Sequence, residues 1–219
     1  MEKDMKVMIH AVPNRMWYVD RFLVPSLIEQ GISPVIYCDH AGRGNLGACL
    51  DSFRNIRGDG TWHIQDDVII SRRFAELAEE NDTGVCNGFC HSIWEDDPGH
   101  IGTVYAPDLW HSFQCVRIPD DIARDFVKWV ETSKHSSWAD IQIKRNRGDD
   151  FLFREYFNEI HGRETARNIA PNMVDHVDFL IGGSVINEWQ DMFHRADLFE
   201  DLDLIDELEE NIKLLNDRR

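Results

Sequence analysis

The sequence predicts an α/β protein with a mostly parallel central sheet, flanking helices and a helical C-terminal tail. Three observations carry that prediction. Short runs of strand-favouring residues alternate with amphipathic stretches of helical period along the first third of the chain, the rhythm of strand–helix–strand units. Apolar residues make up 42% of 219 positions and seven are tryptophan, enough for a folded globule that needs no disulfide or structural metal. The third is the stretch Thr61 to Ser71, TWHIQDDVIIS, where a polar triplet interrupts two apolar runs as a sheet edge does at a ligand site.

Lys6 to Val12 (KVMIHAV) forms the first predicted strand, ended by Pro13 and Asn14. A helix from about Tyr18 to Gln30 follows, with Phe22, Leu23, Leu27 and Ile28 on one face and Gly31 beyond. Pro25 within it either kinks the helix or marks its true first turn. Pro34 to Cys38 is the second strand. It leads through Asp39, His40 and a glycine-containing loop to Asn45, a helix cap, and to Leu46, Cys49, Leu50, Phe53 and Ile56 at helical spacing. Gly58 to Gly60 delivers the chain to TWHIQDDVIIS, and a short helix (Arg72 to Glu80) and a strand around Thr83 to Cys90 come next.

The middle is less regular, with loops at Glu95 to Gly99 and Ala106 to Asp108 and a strand at His111 to Ile118. A helix capped by Asp120 or Asp121 carries Ile122, Phe126, Val127, Trp129 and Val130. Asp149 and Asp150 open another amphipathic helix, with Leu152, Phe153, Tyr156, Phe157 and Ile160 inward. Ile169 to Asp178 is read as a loop, loosened afterwards by Gly182 and Gly183. From Phe199 to Leu215 an acidic helix repeats Leu204, Leu208, Ile212 and Leu215 along one face, whose default meaning is core packing. Residues 1–190 are expected to form one catalytic domain and 191–219 an acidic extension packed on it.

Composition removes several classes. A formal charge of −17 disfavours nonspecific attraction to nucleic acid or anionic lipid, although Arg43, Arg54, Arg57, Arg72, Arg73, Arg145 and Arg147 lie near polar motifs. No run approaches the roughly 20 apolar residues of a membrane span. The N-terminus passes from charge straight into a strand, so the expected compartment is the cytoplasm. Five cysteines form no metal or disulfide framework and are read as buried thiols. Neither GxGxxG after the first strand nor a Walker motif occurs.

Four polar stretches, at Asp39, Asp66-Asp67, Asp149-Asp150 and His176, suit a site that handles a diphosphate with a divalent cation. In their order and local sequence they resemble the small glycosyltransferases of the GT-A fold, compact bacterial and phage-type members, from about Lys6 to Asn187. HIQDDVIIS is similar to that family's metal-binding acidic motif, though its tip is QDD and not DxD. The resemblance implies a GT-A-like fold, Asp67 as ligand of Mn2+ or Mg2+, and Asp66 and Gln65 against ribose or diphosphate. It also implies Asp39 (in YCDH) at the nucleobase, Asn45 near the nucleotide, and Asp150 as catalytic base with Asp149 as neighbour or substitute (RGDDFLFREYF). His176, in PNMVDHV, would complete the metal coordination. Arg43 and Arg147 either reach phosphates or are solvated charges. The same residues have plainer roles open to them: a turn cap at Asp39, a solvated turn at Asp67, a helix N-cap at Asp150 and an interior histidine at His176.

The implied activity is transfer of a sugar, with inversion, from a nucleotide diphosphate donor, expected to be UDP-linked, to the hydroxyl of a glycan or small molecule. Hydroxylated bases of phage DNA are an alternative acceptor. A metal-dependent nucleotidyltransferase or phosphohydrolase is a second reading, and a noncatalytic nucleotide-binding protein a third. The last predicts Asp67 and His176 too far apart to share a cation, or Asp149 and Asp150 turned away from the cleft.

Overall fold

A computed structural model describes residues 5–56, 58–89, 104–105, 113–132, 149–161, 166–182 and 199–217. Strands β1 (Val7–Ala11), β2 (Val35–Cys38) and β3 (Thr61–Gln65) run parallel with β1 in the middle, so that Ile9 lies opposite both Ile36 and Ile64. β7 (Cys115–Ile118) lines up antiparallel on β3 and also on β5 (Cys86–Asn87). Beyond β5 come β8 (Ala166–Asn168), parallel, and β6 (Val104–Tyr105), antiparallel. The order is β2-β1-β3-β7-β5-β8-β6. The α/β, GT-A-like class with flanking helices and a C-terminal helix is as expected. The sheet is mixed where a mostly parallel one was expected, because a short buried run such as CVRI carries no information about its direction.

Alternation along the strands feeds two cores. Val7, Ile9, Ala11, Trp62 and Ile64 meet Tyr18, Val19, Leu23 and Leu27, together with Phe74 and Leu77 of α4 (Phe74–Glu80). On the opposite side, α3 (Gly44–Asn55), α5 (Asp120–Thr132) and α6 (Asp149–Ile160) enclose Leu46, Phe53, Val116, Ile118, Phe126, Phe153 and Tyr156. Phe126 holds that side together, with ring centroids 5.2 Å from Phe153 and 5.4 Å from Tyr156.

The predicted helix after β1 is built in pieces. A 3-10 turn (Pro13–Arg15) leads into α1 (Met16–Tyr18), a π-turn (Val19–Leu23) and α2 (Val24–Glu29). Pro25 sits in the first turn of α2, and the widened π-turn lies just ahead of it.

One expectation needs correction here. Val68–Ile70 (β4) leaves the main sheet and pairs with β9 (Val174–His176), with Val68 opposite His176. The stretch read as a loop from Ile169 to Asp178 therefore contains a strand, set by a partner more than a hundred residues away that local pattern does not reveal. His91, His111, Cys90, Arg57, Arg145, Arg147, Gly183 and Asn187 lie outside the described residues, as does the start of the proposed tail. Cys38, Cys49, Cys86 and Cys115 are free thiols. No described helix is long and apolar enough to cross a membrane.

α8 (Leu202–Asn216) seats Ile205 and Leu208 in the first core, with Leu204 and Ile212 packed at its margin, so its apolar stripe is core-facing as expected. Asp201, just before it, accepts the Ser71 hydroxyl at 2.8 Å and the Arg72 N–H at 2.9 Å, tying the helix to the end of β4. Asp201→Ala is expected to lower stability by about 1–2 kcal/mol in urea unfolding. An unchanged midpoint would mean that the apolar face and the Arg72–Asp203 pair hold the helix without Asp201.

Candidate functional site

β1 and β3 end side by side, and the chain leaves them in opposite directions: β1 leads to β2, β3 toward the β7–β5 side. A crevice outside the carboxyl ends of strands at such a switch point is where open α/β sheets bind ligands. Asp66 and Asp67 occupy the two-residue turn between β3 and β4, at this point. Both are buried, and both turn toward the 3-10 turn that follows β1.

Arg15, also buried, explains how two acids are tolerated there. Its Nη1 donates to Asp66 Oδ1 at 2.8 Å and to Asp67 Oδ2 at 2.7 Å, while its Nε donates to the Gly182 carbonyl, just beyond α7 (Asp178–Ile181), at 3.3 Å. The Val12 N–H fills Asp66 Oδ2 at 2.7 Å. His176 brings Nε2 to 3.3 Å from Asp67 Oδ2, and the Val177 N–H donates to the Asp67 carbonyl at 2.8 Å. Among the described residues Asp67 Oδ1 is buried without a hydrogen-bond partner.

The charges respond accordingly. Burial and the neighbouring Asp67 push the Asp66 carboxyl up, with Arg15 only partly offsetting them. Burial also acts to raise Asp67, but His176 and then Arg15 outweigh it and hold the carboxyl well below its usual range. Burial would lower His176, yet the adjoining Asp67 raises it.

Asp149, buried at the start of α6, lies across from this turn, with Gln65 Nε2 at 3.5 Å from its Oδ2. Burial, then Asp150 and more weakly Asp67, push it up to about 7. Asp150 is half-buried, and its Oδ1 accepts the Phe151 N–H at 2.7 Å. Asp39, at the end of β2, accepts the Gly44 N–H on Oδ2 at 2.9 Å, while its buried Oδ1 has no hydrogen-bond partner among the described residues. Gly44 makes that turn at φ 73°, a left-handed conformation that suits glycine. Asn45 is in the first turn of α3. Arg43 forms an ion pair with Asp51 at 2.8 Å. Arg54, Arg72 and Arg73 are likewise paired with acids.

The structure thus gathers Asp66, Asp67 and His176 into one cluster, with Gln65 and Asp149 beside it, and places Asp39 and Asn45 at the neighbouring strand end. Arg15 is the member that sequence reasoning missed. Its signal was its position just past a strand that a parallel sheet sets beside the one ending in QDD.

The fit of a divalent cation rests on Asp67 Oδ1, a buried oxygen left open in the cluster. Among the described residues no group of three His, Cys, Asp or Glu side chains is placed to hold a metal ion. The donor set therefore suits an ion that keeps ligands from water or phosphate, as Mg2+ and Mn2+ commonly do.

The fold and site can be set beside known proteins. No family model matches the chain, and no curated protein does. Among solved structures, an inositol-1-phosphate CTP transferase from T. maritima aligns with 88% of this chain and 98% of its own at 9% identity, with a TM-score of 0.46. A putative glucose-1-phosphate thymidylyltransferase from Bacillus anthracis aligns over 76% and 87% at 11% identity and a TM-score of 0.40. HddC from Yersinia pseudotuberculosis aligns over 87% and 100% at 12% identity and a TM-score of 0.39.

These findings correct the reading as a glycosyltransferase, and with it the hexosyl or pentosyl transfer, the UDP-sugar donor, inversion at a sugar and the phage-DNA acceptor. The first two matches are named for moving a nucleotidyl group, not a sugar. The physical reason for the misreading is plain: an acid turn at a strand end that handles a metal-bound phosphate chain serves either transfer, and QDD does not distinguish them. No residue role passes from those proteins to this chain.

Proposed function

We propose that this protein is a metal-dependent nucleotidyltransferase that binds a nucleoside triphosphate in the crevice between β1 and β3. The observation that carries the reading is Asp67 Oδ1, buried and open at the switch point of the sheet beside a fixed guanidinium. The noncatalytic reading predicts Asp67 and His176 too far apart to share a cation, and the 3.3 Å between His176 Nε2 and Asp67 Oδ2 supports the catalytic reading over it.

In this reading Asp67 would anchor the cation through Oδ1, while His176 braces its other carboxylate oxygen. When bound, the cation supplies charge neutralisation for the leaving pyrophosphate. Arg15 holds Asp67 in its ionised form and fixes the turn. Asp39 presents its open oxygen to an N–H or O–H donor of the nucleoside, and Asn45 lies near it. An oxygen of the acceptor's phosphate attacks the α-phosphorus. The bond from that phosphorus to the β-bridging oxygen breaks, and pyrophosphate leaves with the electron pair. An acceptor phosphate is already ionised and needs no base, so the site has to supply only orientation and charge.

The test is calorimetric titration of each common nucleoside triphosphate with and without Mg2+, followed by a pyrophosphate-release assay with phosphate monoesters as acceptors. At least one triphosphate is expected to bind only with the cation present and to release pyrophosphate when an acceptor is added. If no triphosphate binds under either condition, the assignment fails.

A further inference from the structure

The carboxylate oxygens at the β3–β4 turn are unevenly used. Asp66 Oδ2 takes the Val12 N–H and Asp66 Oδ1 takes Arg15. Asp67 Oδ2 takes the same Arg15 nitrogen and faces His176 Nε2, which leaves Asp67 Oδ1. A guanidinium stays charged at any relevant pH, and this one is buried and held at its Nε by the Gly182 carbonyl. The Asp66–Asp67 pair therefore already has a full positive charge within 2.8 Å of each member.

We infer that Arg15 is a positioning residue that makes this site accept a divalent cation together with a nucleotide and not on its own. The inference rests on the reading of the crevice as a nucleotide site and deepens it. Two physical effects combine. The guanidinium cancels one of the two carboxylate charges, so a bare dication meets a single net negative charge in place of two. With one open carboxylate oxygen at this turn, and no described group of three ligating side chains, the described residues leave most of a six-oxygen shell to other ligands. A triphosphate arrives with both missing components, negative charge and oxygen ligands. Arg15 meanwhile holds the Asp67 side chain through Oδ2, which leaves Oδ1 as the oxygen not used by Arg15.

The experiment measures Mn2+ binding by water-proton relaxation, which reports the protein-bound ion, on the full chain with and without a nucleoside triphosphate. Wild type, Arg15→Gln and Arg15→Lys are compared, with circular dichroism to confirm folding. For the wild type, Mn2+ is expected to bind weakly alone and at least roughly tenfold more tightly with nucleotide. Arg15→Gln is expected to gain about tenfold to a hundredfold in affinity for Mn2+ alone. Arg15→Lys, which keeps the charge, should resemble the wild type, a rescue that a purely structural role would not produce.

Equal Mn2+ affinity of the wild type with and without a triphosphate that itself binds overturns the inference, as does an Arg15→Gln protein that binds Mn2+ no better than the wild type. If Arg15→Gln does not fold, the wild-type comparison and Arg15→Lys decide the matter. A failed nucleotide reading looks different. No triphosphate would then bind to any variant, while a gain by Arg15→Gln for Mn2+ alone would still support the charge role of Arg15.

Discussion

Replacing Asp67 by asparagine is expected to weaken metal-dependent triphosphate binding by roughly a hundredfold to a thousandfold, about 3–4 kcal/mol, with little change in fold. Asparagine keeps the shape of the side chain and an acceptor for Arg15, but it removes the charge that a divalent cation needs. Asp66→Asn should behave in the opposite way. Both Asp66 oxygens are engaged inside the protein, by Val12 and by Arg15, so its change should lower the melting temperature more than it lowers nucleotide affinity. Titration calorimetry and thermal unfolding of the two variants, side by side, separate the roles. If Asp67→Asn binds metal and nucleotide as the wild type does, the cation is not seated on Asp67. If Asp66→Asn is the one that loses binding, the two acids have been given each other's tasks.

What the sequence disclosed of this site follows from the range of the interactions involved. Strand ends, helix starts and the acidic turn are written in local pattern, and β1, β2, β3, α3 and the start of α6 are where periodicity puts them. Asp66 and Asp67 were legible because a polar triplet between the apolar runs TWHI and VII marks the place where a buried strand ends and the chain bends. Strict alternation would have sent their side chains to opposite faces. The turn between β3 and β4 bends the chain instead, and both reach Arg15. Arg15 was not legible by itself, since a basic residue after Pro13 and Asn14 reads as a solvated loop. Only the β2-β1-β3 order brings it to the acids. The β4–β9 ribbon was missed for the same reason: its partners are three residues long each and lie far apart in sequence. The transfer reaction was misread for a chemical reason, because the residues that hold a phosphate-bound cation do not specify which bond of the donor is broken.

The largest effect on stability outside the site is expected from a histidine pair beneath it. On the face of the sheet opposite Ile9 and Ile64, His10 Nε2 and His63 Nδ1 share a hydrogen bond of 2.9 Å, with the Phe53 ring centroid 4.6 Å from that of His63. Burial pushes His10 down to about 4; burial, then the proximity of His10, holds His63 well below its usual value. Both rings are therefore neutral in the native protein at pH values where an unfolded chain, with a histidine pKa near 6.5, is already taking up protons. A depressed native pKa means stability that is present above the unfolded value and is lost as pH falls from about 6.5 toward about 4. At about 1.4 kcal/mol per unit, His10 alone accounts for roughly 3 kcal/mol across that window. Asp66 and Asp149, whose carboxyls are shifted up, titrate in the opposite sense over much of the same range, so the raw acid limb of the wild type is a sum of opposing slopes. The histidine part is isolated by difference. His10→Leu combined with His63→Leu should retain stability near pH 7.5, since the surroundings are apolar and no half of the pair is left behind. At pH 4.5 the double variant should exceed the wild type by at least about 2–3 kcal/mol more than it does at pH 7.5, the share of His10 alone, with His63 adding to it, measured by urea unfolding at both values. Parallel curves for the two proteins would mean that the rings can take up protons in the folded state, and that the cleft floor beneath β1 and β3 admits water.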